Sequence, residues 1–369
     1  EQQRLLANLV TEMNLDNMPL PRFWYLPRGE KAAVLLTSDD HGSGVVPGRM
    51  DRYIEKSPEG CSVDDWECVR SSMYIYPSTT MTAAQANDYT ADGFEIGVHV
   101  DTGCANYDLT ALENYYNAQI GDFTSRFPSL PLQDSERTHC IAWSGWAYQA
   151  DVKEQQGIRL DTNYYFWPPD WVNDQPGLFT GSGLPMRFAD LDGSMFDVYQ
   201  ATTQMTDESG QTYPFTIDTL IDRALGPEGY YGVFTANMHT NAVTHAGAEA
   251  IIASAQANSV PIVSGRQLLT WLDGRNGSAF EALTWDTDTL TFNVSIASGA
   301  NGLQVMLPVQ SSVGPLSGIT LDGSTVTYTQ ETIKGVEYAI FDAQAGAYAA
   351  SYAADTTPPV ITNVLSLIH

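Results

Sequence analysis

The strongest constraint on the fold is a change of hydrophobic rhythm near residue 276. Before it, short apolar runs of strand character alternate with segments of helical period: "AAVLLTSDD", "GFEIGVHVD", "HCIAW", "GIRLDT", "MFDVYQ", "GVFTANMH" and "VPIV" are the strands. Leu109, Leu112, Tyr116, Ile120, Phe123 and Phe127 recur at steps of three and four, the spacing of one helix face, and "GAEAIIASAQAN" and "RQLLTWLDGR" supply two further helices. Such alternation predicts an α/β domain, a mainly parallel sheet covered by helices. After residue 276 the helical period stops. "TLTFNVSIA", "GLQVMLPV", "STVTYT" and "VEYAIFD" follow between glycine-rich breaks, which predicts a small all-β sandwich. A chain of 369 residues also exceeds what one core usually serves. The expected organisation is a lead-in at 1–29, the α/β domain at 30–275 and the sandwich at 276–353. In the stretch 354–369, "DTTPPVITNV" reads as a proline-stiffened linker entering a further module.

Charge and cysteines narrow the partners. The formal charge of -27 comes from 44 acids against 17 bases, of which only Lys31, Lys56, Lys153 and Lys334 are lysines. Such a surface repels phosphate backbones and argues against a nucleic-acid partner, although adaptation to a salty medium explains the acidity equally well. No apolar run approaches the length of a membrane span. The first residues carry no basic segment followed by an apolar stretch, so a signal peptide is expected to be absent or already removed. Cys61, Cys68, Cys104 and Cys140 show no CxxC spacing, which favours two disulfides in an exported protein over a thiolate metal site. The expected location is outside the cell or on its surface, in a bacterium.

In parallel α/β folds functional groups gather at the carboxyl ends of the strands. Asp39 and Asp40 end one predicted strand, His99 and Asp161 end others, His139 opens "HCIAW", and His239 ends "GVFTANMH". Four of only six histidines, His41, His99, His139 and His239, fall at or just after strand ends. A carboxylate with imidazoles suits zinc, and a second carboxylate beside it can take a proton from water. Blander readings exist for each alone: paired aspartates cap turns, and a single strand-end histidine is commonly a hydrogen-bonded core residue. His245 is expected on a solvated helix face.

Taken together these residues resemble the polysaccharide deacetylases of carbohydrate esterase family four, the NodB-homology domain, over residues 30–275. "TSDDH" is similar to the family's first motif, "EIGVHVDTG" to the second, "RTHC" to the third, "GIRLDTNYYFW" to the fourth and "ANMH" to the last. The resemblance implies a distorted (β/α) barrel and a metal-dependent hydrolase that removes acetyl groups, N-acetyl favoured over O-acetyl, from an acetylated polysaccharide or oligosaccharide. It makes Asp39 the general base, Asp40 and His99 ligands of a divalent metal, zinc foremost, and His239 the general acid. Arg137 would stand beside the base and Asp161 would orient the acid.

One departure is that Gly103 stands where the family has its second metal histidine. A disulfide between Cys104 and Cys140 would bring their Cα atoms to roughly 5 to 6 Å and carry His139 to the site as a replacement ligand. Asp101 and His41 compete for that place, and His41 is read first as a substrate contact. Trp143, and Tyr165 and Trp167 within "NYYFWPPDW", suit the stacking of sugar rings, and Arg187 in "TGSGLPMRFADLDG" suits a substrate oxygen. That glycine-rich loop lacks the GK[ST] ending of a phosphate loop. Two other readings remain open: a deacetylase-like module that only holds a glycan within a secreted multidomain protein, and a related hydrolase such as an O-acetyl esterase or deformylase.

Overall fold

The computed structural model describes residues 2–140, 142–163, 183–208 and 210–353. The described residues divide into two compact units, one of Tyr25–Arg275 with Ser298–Gly302, the other of Gln2–Trp24, Asn276–Ala297 and 303–353.

The first unit is mixed α/β in more than one sheet. Its central strand, Ala32–Asp40, runs parallel to Gly232–Asn237 on one edge and to Ser72–Ile75 and Ile262–Val263 on the other. Glu95–Val98 extends the sheet beyond Ser72–Ile75, and Thr203–Thr206 extends it beyond Gly232–Asn237. All nine residues of Ala32–Asp40 are buried. A parallel strand covered on both faces reads as an unbroken apolar run, which is why "AAVLL" does not alternate. A second sheet pairs Ser135–Glu136, Leu160–Asp161 and Met195–Gln200 in parallel and adds Met186–Ala189 antiparallel. An isolated parallel bridge between Asp101 and His139 links the strand ends of the two sheets, with His139 N donating to Val100 O at 2.8 Å.

Helices cover these sheets. The helix Leu109–Arg126 starts where Asp108 accepts a hydrogen bond from Ala111 N at 2.8 Å, and it buries Leu112, Tyr116 and Phe123 as its spacing predicts. Those side chains share one core with Val34, Leu36, Ile75 and Val98 from the strands and with Ile217, Ile221, Ile251 and Ile252 from the helices Phe215–Leu225 and Ala246–Ala257.

The second unit holds two antiparallel sheets. One runs in the order Arg22–Phe23, Gln304–Pro308, Val336–Asp342, Thr329–Ile333. The other runs Ala279–Asp286, Thr289–Ser295, Gly346–Tyr352, Gly314–Leu321 and Gln310–Ser311. In Thr289–Ser295 the residues Leu290, Phe292 and Val294 are buried and Thr291 and Asn293 exposed, the period of two that a sheet with one covered face requires. The stretch from Gln2 to Asn14 is a helix of this unit. Its Asn8 accepts from Tyr338 Oη at 2.8 Å and from Arg22 Nη1 at 3.1 Å, and donates to Ile333 O. No helix among the described residues is long and apolar enough to cross a membrane.

Candidate active site

The carboxyl ends of Ala32–Asp40, Glu95–Val98 and Gly232–Asn237 bring Asp39, His99 and His239 together from positions 60 and more residues apart. Asp39 is buried and receives hydrogen bonds from Arg137 Nε at 3.1 Å and from Asn237 Nδ2. Its Oδ2 lies 3.5 Å from His99 Nε2 and 3.9 Å from His239 Nε2. Burial works against its charge, yet the Arg137 guanidinium foremost, then the neighbouring His99 and His239 rings and the Asn237 hydrogen bond, outweigh it. The carboxyl is held well below the usual carboxylate range.

Beside it stands a cluster of imidazoles. His99 is fully buried, its Nδ1 is 2.7 Å from Arg137 O, and its Nε2 has no hydrogen-bond partner among the described residues. Burial foremost lowers its pKa to about 4 against the opposing charge of Asp39, so the ring is neutral at pH 7. Half-buried His139 is also lowered, by burial and then by His41. The His41 ring centroid is 5.5 Å from that of His99, 4.7 Å from His139 and 5.2 Å from His239. Ligand atoms of His41, His99 and His139 all lie within 4.8 Å of one another, and those of Asp39, His41 and His239 form a second such group.

These residues fit a metal ion. A buried, partnerless Nε2 on a neutral ring is costly unless something binds it, and its Nδ1 is tied to a carbonyl in the way ligand histidines usually are. Three imidazoles are a known donor set for catalytic zinc. The carboxylate expected among them is elsewhere. Asp40 is turned into the following bend, where Gly42 N donates to it at 3.1 Å, Ser43 N at 2.9 Å and Ser43 Oγ as well, and it belongs to neither ligand group. His41, one residue on, occupies the space instead. Asp101 is likewise engaged locally, accepting from Gly103 N at 2.7 Å.

His139 reaches the cluster through a disulfide. Cys104 and Cys140 are bonded with their Cα atoms 5.4 Å apart, and Cys61 and Cys68 form the second bond at 5.3 Å. Gly103 has φ +70°, in the left-handed region that side chains disfavour. A histidine at 103 would be strained there, whereas position 139 sits in extended pairing with Asp101.

The partner of His239 differs from expectation. Its Nδ1 is 2.8 Å from Asp207 Oδ1, its backbone N donates to Asp207 Oδ2 at 3.1 Å, and its Nε2 faces Asp39 and, at 3.5 Å, Glu208. The hydrogen bond with Asp207 leads the effects that raise His239 to about 9, burial opposing. Asp161 does not orient this histidine. It is fully buried against Lys153, with Asn163 Nδ2 at 2.7 Å and Gln200 Nε2 at 3.2 Å. Asp207 follows the strand Thr203–Thr206, which is short and polar and gave no apolar run to recognise. Asn237 lay within the quoted "ANMH", but nothing local marked it as a partner of Asp39. His245, expected to be solvated, is instead paired with Asp207 at 3.1 Å.

Of the residues assigned to substrate, Trp143 stacks on Phe188 with centroids 5.8 Å apart. Arg187 pairs with Asp197 at 2.8 Å and lies over the Tyr199 ring at 5.0 Å. Tyr165 and Trp167 lie outside the described residues.

No family model matches the sequence and no curated protein matches it. Among solved structures, the chain is similar to a polysaccharide deacetylase from Bacillus cereus at 12% identity, covering 63% of this chain and 91% of that one with a TM-score of 0.32. It is similar to a family 4 acetyl xylan esterase from Clostridium thermocellum, in complex with a cobalt ion, at 15% identity, covering 63% and 94% with a TM-score of 0.28. It is also similar to an alpha-L-fucosidase from Bacteroides thetaiotaomicron at 9% identity, covering 90% and 95% with a TM-score of 0.33.

Proposed function

We propose that this chain is a metal-dependent hydrolase that removes acetyl groups from a polysaccharide or oligosaccharide, N-acetyl in preference to O-acetyl. The observation that carries the reading is the setting of Asp39: an ionised, buried carboxylate within 4 Å of both a neutral imidazole with a free nitrogen and an imidazole with a raised pKa. A base and an acid pushed apart in pKa at one point in space are what hydrolysis of an acetyl group needs.

His41, His99 and His139 would hold a divalent ion, with zinc the best match to three nitrogen donors. When bound, such an ion polarises a carbonyl and eases the ionisation of water. Asp39, kept ionised by Arg137, takes the proton of the attacking water. Asn237 and Arg137 hold its two oxygens in place, so the carboxylate stays aimed. His239, protonated at neutral pH, donates from Nε2 to the departing nitrogen or oxygen, while Asp207 holds its Nδ1. Trp143, with Tyr165 and Trp167, would offer faces to the sugar rings. On this reading residues 30–275 are the catalytic domain, the β-rich segment 276–353 accompanies it, and the disulfides suit a protein that works outside the cell.

The test is a zinc titration by calorimetry on the parent, His139→Ala and Asp40→Asn, alongside acetate release from N-acetylglucosamine oligomers and acetylated xylan. One equivalent bound by the parent and by Asp40→Asn but lost in His139→Ala, with acetate released by the parent, is the expected result. No binding and no acetate would sink the reading.

A further inference from the structure

His245 and Asp207 are joined by a constraint that runs through a helix end. The helix Ala246–Ala257 is capped by His245, whose Nδ1 accepts the Ala248 N–H at 3.3 Å. A ring nitrogen that accepts carries no proton, so the single proton of the neutral imidazole sits on Nε2. That Nε2 is 3.1 Å from Asp207 Oδ2. The cap therefore chooses the tautomer, and the tautomer makes the ring a donor to Asp207. Glycine at 247 leaves room for this placement: a Cβ there would lie 3.2 Å from His245 Cε1 and 3.3 Å from Met238 Sδ. The loop between the two histidines is pinned by the buried Arg49, which donates to Val243 O at 2.8 Å and to Ala242 O.

We propose that His245 is a positioning residue for His239, acting through Asp207; the inference rests on the reading of His239 as the acid. Asp207 Oδ1 meets His239 Nδ1 at 2.8 Å, its Oδ2 accepts from His239 N at 3.1 Å, and His245 Nε2 stands 3.1 Å from the same Oδ2. With Oδ2 held from two segments the carboxylate is kept in orientation, and among the described residues Oδ1 meets the His239 ring. The ring is then held with Nε2 toward Asp39. Asparagine, aspartate or serine would cap the helix as well, but each lacks the second ring nitrogen that meets Asp207. A histidine at this cap is accounted for by the second contact.

The experiment separates the two contacts. His245→Asn retains a capping side chain and removes the donor to Asp207, while His245→Ala removes both. Long-range ¹H–¹⁵N spectra of the imidazoles read the His245 tautomer in the parent without any assay of activity. The parent and both variants are then compared on N-acetylglucosamine oligomers and on 4-nitrophenyl acetate, whose phenolate leaves without help from an acid. The expected result is an Nε2–H tautomer for His245 and, in His245→Asn, an unchanged melting temperature and KM. Its kcat falls about tenfold on the oligomers, a part of what a general acid contributes, and by less than about threefold on the phenyl ester. His245→Ala shows the same kinetic loss and also melts earlier. An Nδ1–H tautomer, or full kcat on the oligomers in His245→Asn, overturns the role alone. A parent inactive on both substrates overturns the hydrolase reading and the role with it.

Discussion

Two buried ionic clusters begin on adjacent residues of one strand end, and they are finished differently. Glu136 belongs to the first, with Lys153 Nζ at 2.8 Å, Asp161 on the same ammonium group, and Tyr116 Oη at 2.8 Å. Asn163 and Gln200 complete the oxygens of Asp161. Arg137, the next residue, belongs to the second and points to Asp39, where His99 Nε2 has no hydrogen bond among the described residues and His239 stops 3.9 Å short of the carboxylate. Both are buried and both pair carboxylates with cations. What separates them is closure: a satisfied network stabilises a fold, and one left open toward its neighbours is poised to bind or react.

The largest test of that contrast is Lys153→Met, which leaves Glu136 and Asp161 buried without their cation and is expected to cost about 3–5 kcal/mol in urea denaturation. A loss below about 1 kcal/mol would mean the first cluster is not the structural one. Asp39→Asn is read on activity instead: acetate release should fall roughly a thousandfold, as loss of a general base does, with a loss of stability beside it because Arg137 is left buried without its carboxylate. Replacing Cys104 and Cys140 together by serine should cost about 2–4 kcal/mol and also weaken zinc binding, because the bond sits beside His139; unchanged zinc affinity would detach the disulfide from the site.

A further test concerns pH. His239 has its pKa raised from 6.5 to about 9 in the folded protein. Its contribution to stability is then fully present below pH 6.5 and is lost as pH rises through about 9. Denaturation of the metal-free protein across that window should show a decline that His239→Gln removes. A decline of equal size in the variant would assign the effect to other groups.

How far the chain disclosed this in advance varied by residue. Asp39, His99 and His239 were legible because each ends an apolar strand whose pattern is local. The helix Leu109–Arg126 was legible for the same reason, through its period. Asp207 was missed because Thr203–Thr206 reads "TQMT", with no apolar run to announce a strand. Lys153 was missed because "YQADVKEQ" shows little of a helix face, although its lysine is wholly buried. Asp40, expected beside the imidazoles as a ligand, accepts hydrogen bonds from Gly42 and Ser43, a local engagement that adjacent aspartates do not disclose in sequence.

The sequence by itself determined the strongly periodic elements, such as Ala32–Asp40 and Leu109–Arg126, and that acids and imidazoles collect at strand ends, since strand and helix periods are properties of neighbouring residues. Only the tertiary structure decided the partners: Asp207 for His239 across 32 positions, His245 for Asp207, His41 in the space expected for Asp40. Those choices depend on distances of a few tenths of an ångström between segments far apart in the chain, and a hydrogen bond or a ligand set exists only once packing has fixed them.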